Sequence, residues 1–141
     1  MGSQGFRYRR RVQFSETDLA GIAHFSAFFR FMEEAEHALW RAAGLSIAPR
    51  ESEFVFPRIN AAFDYHNPLR FEDEFDVHIR VAGMTDKTMR YACVLTKGAT
   101  KIATGSLTIV CATRHGDDIK AASFPPAMAA RFAVAPEPGP A

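Results

Sequence analysis

Polar and apolar side chains alternate in the first patterned stretch of the chain, residues 6–14. The even positions are apolar, apart from Arg10, and the odd positions carry Arg7, Arg9, Arg11 and Gln13. A period of two is typical of a strand that is buried on one face only. We therefore predict a strand over 6–14, with the odd-numbered arginines on a solvated face.

The period then changes to that of a helix, which we predict over residues 26–43. Its apolar stripe consists of Phe28, Phe29, Met32, Ala35, Leu39 and Ala42, widened by Phe31 and Trp40. Ser26 suits the N-cap and Gly44 suits the C-terminal stop. The predicted polar side carries Glu33, Glu34 and Glu36. A helix this apolar is expected to be wrapped by a sheet rather than to lie on one edge.

The rest of the chain is dominated by strands, which we predict over 59–65, 74–82, 89–96 and 100–113. Gly105 lies inside the last of them and indicates a bulge or a close approach of another group. Residues 114–120 are predicted as a turn, 124–132 as a short helix and 133–141 as a disordered, proline-rich tail. One strand, one long helix and four further strands indicate an α+β domain over 6–132, with an antiparallel sheet around the helix. Homo-dimerisation would cover its edge strands.

Composition narrows the class of protein. The chain has 141 residues, of which 48% are hydrophobic, and a formal net charge of +1. We expect one domain, no nucleic-acid partner and no membrane span, because neither a basic surface nor a run of about 18 apolar residues is present. No signal peptide is evident, and Cys93 and Cys111 lie in apolar strands that suit core positions. These features predict a cytoplasmic protein.

The candidate chemistry lies between the first strand and the helix. Asp18 is followed by Gly21 and then by the predicted helix start. A helix N-terminus offers unpaired N–H groups to a carbonyl oxygen that becomes negative during acyl transfer. A nearby carboxylate could attack that carbonyl carbon or activate water, while glycine lets the backbone approach a ligand. Asp and Gly are also standard turn residues, so a plain turn is the alternative.

Other catalytic patterns are missing from the sequence. It contains no G-x-S-x-G elbow, no glycine-rich phosphate loop and no H-E-x-x-H. The histidines show no spacing typical of metal ligands, so we expect no metal site.

Several stretches together resemble one family. "FSETDLAGIAHFSAFFRFMEEA", "DYHNPLRFEDEF", "GMTDKTMRYACVL", "KIATGSLTIVCAT" and "FPPAM" are similar to successive segments of the hot-dog acyl-CoA thioesterases of the 4-hydroxybenzoyl-CoA thioesterase type. The similarity runs from about residue 6 to residue 132. It implies a sheet wrapped around one helix, a homodimer or homotetramer, and hydrolysis of an acyl-CoA at the dimer interface.

The resemblance also implies roles for single residues. Asp18 matches the catalytic aspartate, as nucleophile or general base, and Gly21 matches the loop glycine. His24 and Phe25 match the pair whose backbone amides polarise the thioester carbonyl. Lys87 and Thr88 match positions that lie near the coenzyme A phosphates in some members. Coenzyme A is then part of the substrate, and no further cofactor is expected.

Two alternatives stay open. A hot-dog domain can also be a hydratase, but the fragment from Asp64 to Arg70 has one residue too many between Asp and Asn. It also has Arg70 where that motif requires His. The second alternative is a module that binds acyl-CoA or another small ligand without catalysis, because the fold does not imply the function.

Overall fold

The computed structural model describes residues 5–135, which contain eight strands, one long helix and one short helix. The strands are β1 Phe6–Arg11, β2 Phe54–Val55, β3 Arg58–Tyr65, β4 Glu74–Met84, β5 Thr88–Lys97, β6 Thr100–Val110, β7 Ala112–His115 and β8 Asp118–Ala121, and the helices are α1 Ala27–Ala42 and α2 Pro126–Ala129. Five strands form one antiparallel sheet in the order β1-β4-β5-β6-β3. No helix in the described range is long and apolar enough to cross a membrane.

The sheet buries one face against α1. Strand β4 shows why, because Phe75, Val77, Ile79 and Val81 alternate with more exposed residues and are each at most 4% exposed. The apolar stripe of α1 closes this core with Ala27, Phe28, Phe31, Met32, Ala35 and Trp40. The predicted arrangement of an antiparallel sheet around one helix is confirmed. Gly44 has φ +81° directly beyond the helix, as a C-terminal stop requires.

The first strand is shorter than predicted. Strand β1 ends at Arg11, and residues Phe14–Glu16 form a single 3₁₀ turn instead. Phe14, predicted on the buried side, is 75% exposed. The chain has to turn here to reach the helix, and that local requirement overrides the alternating pattern.

The long strand predicted over 100–113 is divided at Cys111. The N–H of Cys111 donates to the carbonyl of Lys87, and its carbonyl accepts from the N–H of Ala122. The chain thereby leaves the main sheet for a small one, ordered β2-β7-β8. The predicted turn over 114–120 is wrong in part, since β7 and β8 pair as a hairpin around Gly116, which has φ +64°.

The polar side predicted for the helix is also wrong in part. Glu36 is fully buried and is paired with Arg58 of β3 at 2.5 Å. Glu33, by contrast, is 49% exposed. Glu36 follows Met32 and precedes Trp40 at intervals of four, so it shares their buried face.

Both cysteines are buried, unpaired thiols, as predicted. Burial raises the pKa of the Cys93 thiol to about 12 and also raises the pKa of Cys111. Neither thiol therefore carries nucleophilic thiolate near neutral pH.

The first residues of the predicted tail contact the sheet. Ala135 is buried, its N–H donates to the carbonyl of Val81, and its own carbonyl accepts from Arg80 at 2.7 Å. Residues 136–141 of that segment lie outside the described residues.

Candidate active site

Asp18 lies on a small closed loop between β1 and α1. Its N–H donates to the carbonyl of Ile22, and its carbonyl accepts from the N–H of Gly21, both at 2.9 Å. Thr17 and Ala23 form an antiparallel bridge across the base of the loop. Gly21 has φ +78°, and a Cβ added there would meet no atom within 4 Å. Glycine is therefore needed for the left-handed backbone rather than to make room for a neighbouring protein group.

Asp18 is half-buried, and the loop uses only part of its carboxylate. Its Oδ1 accepts the N–H of Ala20 at 2.8 Å, which fixes the side chain in an Asx turn. Within residues 5–135, Oδ2 has no hydrogen-bond partner. One carboxylate oxygen is thus left over for a ligand or a water molecule.

The helix entrance lies next to this loop. The N–H of His24 donates to the carbonyl of Glu16 at 2.7 Å, whereas the N–H of Phe25 has no acceptor in the described part of the chain. The carbonyl of Phe25 accepts from the hydroxyl of Tyr65 at 2.8 Å. Of the two predicted backbone donors, His24 is therefore occupied and Phe25 is available.

The His24 side chain serves the helix start. Its Nδ1 lies 2.8 Å from the Ser26 hydroxyl and accepts the N–H of Ser26 at 3.2 Å. Ser26 occupies the N-cap position but makes no side-chain cap bond of its own. The imidazole does not line the clefts that Asp18 lines.

Asp18 borders two clefts. The first has a volume of about 450 Å³, and its other walls are Ile22, Ala23, Phe25, Phe28, Tyr65, His66, Asn67 and Pro68. The second, of about 630 Å³, lies on the other side of the loop between Phe14, Leu19, Gly21 and Phe71. The first cleft brings together the carboxylate of Asp18 and the residue with the free N–H, Phe25. It is lined mainly by apolar and aromatic groups, as is typical of sites for small organic ligands.

The structure does not bring Lys87 and Thr88 to Asp18 within one chain. Tyr65, on the wall of the first cleft, pairs with Ala103 of β6, which in turn pairs with Leu95 near the end of β5. Thr88 is seven residues away at the other end of β5, a separation of about 23 Å at the rise of a strand. The two predicted groups lie at opposite ends of the sheet.

Sequence reasoning missed the polar supports of this site. Tyr65 donates to the Phe25 carbonyl, and Arg10 donates to Glu16, two residues before Asp18. The break in the apolar side of β1 at Arg10 was the available signal. The carboxylates that pair with Arg10 could not be predicted, because they lie in other segments that only the fold brings close.

Comparison with known proteins identifies the family. Residues 12–132 match the family model described as "Thioesterase-like superfamily". The chain is 34% identical over 112 residues to a putative esterase of Aquifex aeolicus, covering 79% of this chain and 87% of that protein. It is 30% identical over 81 residues to a 1,4-dihydroxy-2-naphthoyl-CoA hydrolase of Rippkaea orientalis, covering 56% of this chain and 59% of that protein.

Solved structures agree with the sequence comparison. A hypothetical protein from Aquifex aeolicus superimposes with a TM-score of 0.84 at 30% identity, covering 90% of this chain and 98% of that one. An antiparallel sheet wrapped around one long helix is the hot-dog fold. The chain belongs to the thioesterase-like superfamily of that fold.

Proposed function

We propose that the protein hydrolyses an acyl-CoA thioester to the free acid and coenzyme A, in the cleft between Asp18 and Phe25. The observation that carries the proposal is that Asp18 and Phe25 line one cleft and that each has a polar group without a partner in the described chain. One is a carboxylate with an uncommitted oxygen, and the other is a backbone N–H without an acceptor in the described chain, just before α1. Hydrolysis of a thioester needs both a base or nucleophile and a donor for the carbonyl oxygen.

The Phe25 N–H would stabilise the negative charge that develops on the thioester oxygen. In one route Asp18 takes a proton from water while the water oxygen bonds to the carbonyl carbon. The C–S bond then breaks, and the leaving thiolate takes up a proton. In the other route a carboxylate oxygen of Asp18 bonds to the carbonyl carbon, coenzyme A leaves, and water hydrolyses the mixed anhydride. Both routes use the same two groups.

The acyl group we propose is a compact aromatic one. Phe25, Phe28 and Tyr65 surround the cleft beside Asp18, and Phe28 and Tyr65 meet edge to face with ring centroids 5.0 Å apart. A planar ring can stack or pack edge-on against such walls. The name of the Rippkaea orientalis relative, whose substrate is a naphthoyl-CoA, supports the same class.

We further propose that two subunits complete the site. Strand β3 is an edge of the sheet, and its Ile59 and Tyr65 are 58% and 45% exposed. A two-fold pairing of β3 strands would put the Lys87 end of one subunit near the Asp18 end of the other. The phosphates of coenzyme A could then reach the Lys87 turn of the partner subunit. In the same chain that turn lies at the far end of β5, about 23 Å along the strand.

The test is thioester hydrolysis by wild type and by Asp18→Asn, followed through release of free thiol. Benzoyl-, 4-hydroxybenzoyl-, acetyl-, hexanoyl- and palmitoyl-CoA form the panel. We expect the aromatic thioesters to be preferred and the substitution to lower kcat by about 10²–10⁴-fold, the range of a lost acid–base group. Asp117→Asn is the matched control, since Asp117 is exposed in the turn between β7 and β8 and lies outside both β3 and the Asp18 clefts.

The alternatives give different results. Acyl-CoA that binds without being hydrolysed would make the protein a ligand-binding module and Asp18 a turn residue. Asp18→Asn activity equal to that of Asp117→Asn would show that Asp18 is not the carboxylate that the reaction uses.

A further inference from the structure

An arginine lies on the inner side of the sheet, close to the candidate site. Arg10 occupies an inward position of β1, and its side chain is only 15% exposed. Its guanidinium lies over the ring of Phe31 at 4.7 Å from the centroid, in the geometry of a cation–π contact. An arginine in this place is costly to desolvate unless its donors are satisfied.

Two carboxylates satisfy those donors. Arg10 Nε and Nη2 each donate to Glu34 of α1 at 3.0 Å, which ties β1 to the helix. Arg10 Nη1 donates to Glu16 at 2.5 Å. Arg10 therefore connects three pieces of the chain, namely β1, α1 and the 3₁₀ turn that precedes Asp18.

Glu16 in turn holds both ends of the Asp18 loop. Its Oε1 accepts the N–H of Gln13 at 2.7 Å, so its side chain is fixed from two directions. Its backbone carbonyl accepts the N–H of His24 at 2.7 Å. Asp18 follows Glu16 by two residues, and Phe25 follows His24 directly. Glu16 is therefore tied to the residue before Phe25 and lies two residues before Asp18.

We propose that Arg10 is a positioning residue, which acts through Glu16 to hold Asp18 and the Phe25 N–H at the separation that the reaction needs. This inference rests on the proposed hydrolysis. A misplacement of about 1 Å between reacting groups can cost a factor of about 10² in rate. Lysine cannot replace the arginine, because it lacks the planar fork that meets two carboxylates at once.

The experiment compares two pairs of matched variants. Arg10→Lys and Glu16→Gln disturb the contact while keeping side-chain size. Arg9→Lys and Glu74→Gln make the same chemical changes on the outer face of the same sheet, where Arg9 donates to Glu74 at 3.0 Å. Each variant is assayed for kcat and KM on the best substrate of the panel, and for amide hydrogen exchange in peptides that cover residues 17–25.

We expect Arg10→Lys and Glu16→Gln to lower kcat by about tenfold or more, with KM within about threefold of wild type. Exchange in residues 17–25 should become faster, while exchange in β5 stays unchanged. The double variant should lose no more than the worse single variant, because both changes break the same Arg10–Glu16 contact. The two outer-face variants should match wild type in both measurements.

Two results would overturn the proposal. One is a kcat of Arg10→Lys and Glu16→Gln equal to that of the outer-face controls. The other is a loss of kcat without faster exchange of the loop, which would separate the rate from the position of Asp18. If wild type is active and Asp18→Asn is not, these results reject the positioning role alone. If wild type hydrolyses no thioester, the proposed function fails and the inference fails with it.

Discussion

At the scale of the residue, the buried carboxylate of Glu36 depends on Arg58 to compensate its charge. Its carboxylate is fully buried on α1, and Arg58 donates to both of its oxygens. Removing one member of a buried pair leaves the other charge without compensation. We expect Arg58→Met to lower the free energy of unfolding by about 3 kcal/mol, measured by urea denaturation.

The matched control is Arg9→Met, which breaks a pair on the outer face. Its side chain is 57% exposed, so we expect a loss of at most about 1 kcal/mol. Replacing both Glu36 and Arg58 by methionine should recover most of the loss, because no buried charge then stays unpaired. Equal losses in Arg58→Met and Arg9→Met would contradict the assignment of Glu36 as a buried ion.

The sequence could predict that Asp18, Gly21 and the helix start lie together, because the three are neighbours in the chain. It could not predict the ion pairs, because Arg10 and Arg58 find their partners through the fold. The burial of Glu36 could have been predicted, since the residue is four positions from both Met32 and Trp40 on the apolar face of the helix. The sequence prediction placed Glu33, Glu34 and Glu36 together on the polar side because all three are charged. It gave too little weight to the helical position of Glu36.

At the scale of the element, strand β6 depends on the absence of a side chain at Gly105. An added Cβ would lie 2.6 Å from the ring of Phe63 on β3, so the two cannot coexist in place. The predicted close approach at Gly105 is confirmed. Phe63 also packs edge-on against Phe29, with ring centroids 5.1 Å apart, so the ring has little freedom to move away.

We expect Gly105→Ala to lower the free energy of unfolding by about 1–3 kcal/mol, the range for overpacked sites. Gly83→Ala in β4 is the control, because its Cβ would meet only the end of the Arg90 side chain, at 3.5 Å. Urea denaturation of both variants provides the measurement. A stability of Gly105→Ala equal to that of Gly83→Ala would show that Phe63 moves aside without cost.

Elements were predictable wherever burial imposed a period. Helix α1 and strands β4 and β5 each have a buried stripe or face and lie close to the predicted bounds. Strand β3 also lies close to its predicted bounds, although its residues are exposed or half-buried. The β7–β8 hairpin was not, because all four residues of β8 are exposed and no alternation marks them. The break at Cys111 is set by contacts to Lys87 and Ala122, which belong to other segments.

At the scale of the whole molecule, the proposed two-subunit site predicts that activity depends on assembly through β3. A lysine on the exposed edge of β3 would place a charge in the proposed β3–β3 contact, where it would have to be desolvated. We therefore expect Ile59→Lys to shift wild-type dimers or tetramers toward monomers in sedimentation velocity. kcat/KM for acyl-CoA should fall with the fraction of assembled protein, since each site would lose the partner's phosphate contacts.

Ile119→Lys is the control that separates a surface charge from a broken interface. Ile119 is 50% exposed, close to the 58% of Ile59, but it lies on β8 in the small sheet. We expect this variant to keep the oligomeric state and the activity of wild type.

A wild-type monomer with full activity would refute the two-subunit site, because Asp18 would then act without a partner's Lys87 turn nearby. If the Ile59→Lys oligomer is as stable as that of wild type, the interface does not include this part of β3. A single-chain cleft that hydrolyses thioesters would leave Lys87 and Thr88 without a role in binding coenzyme A.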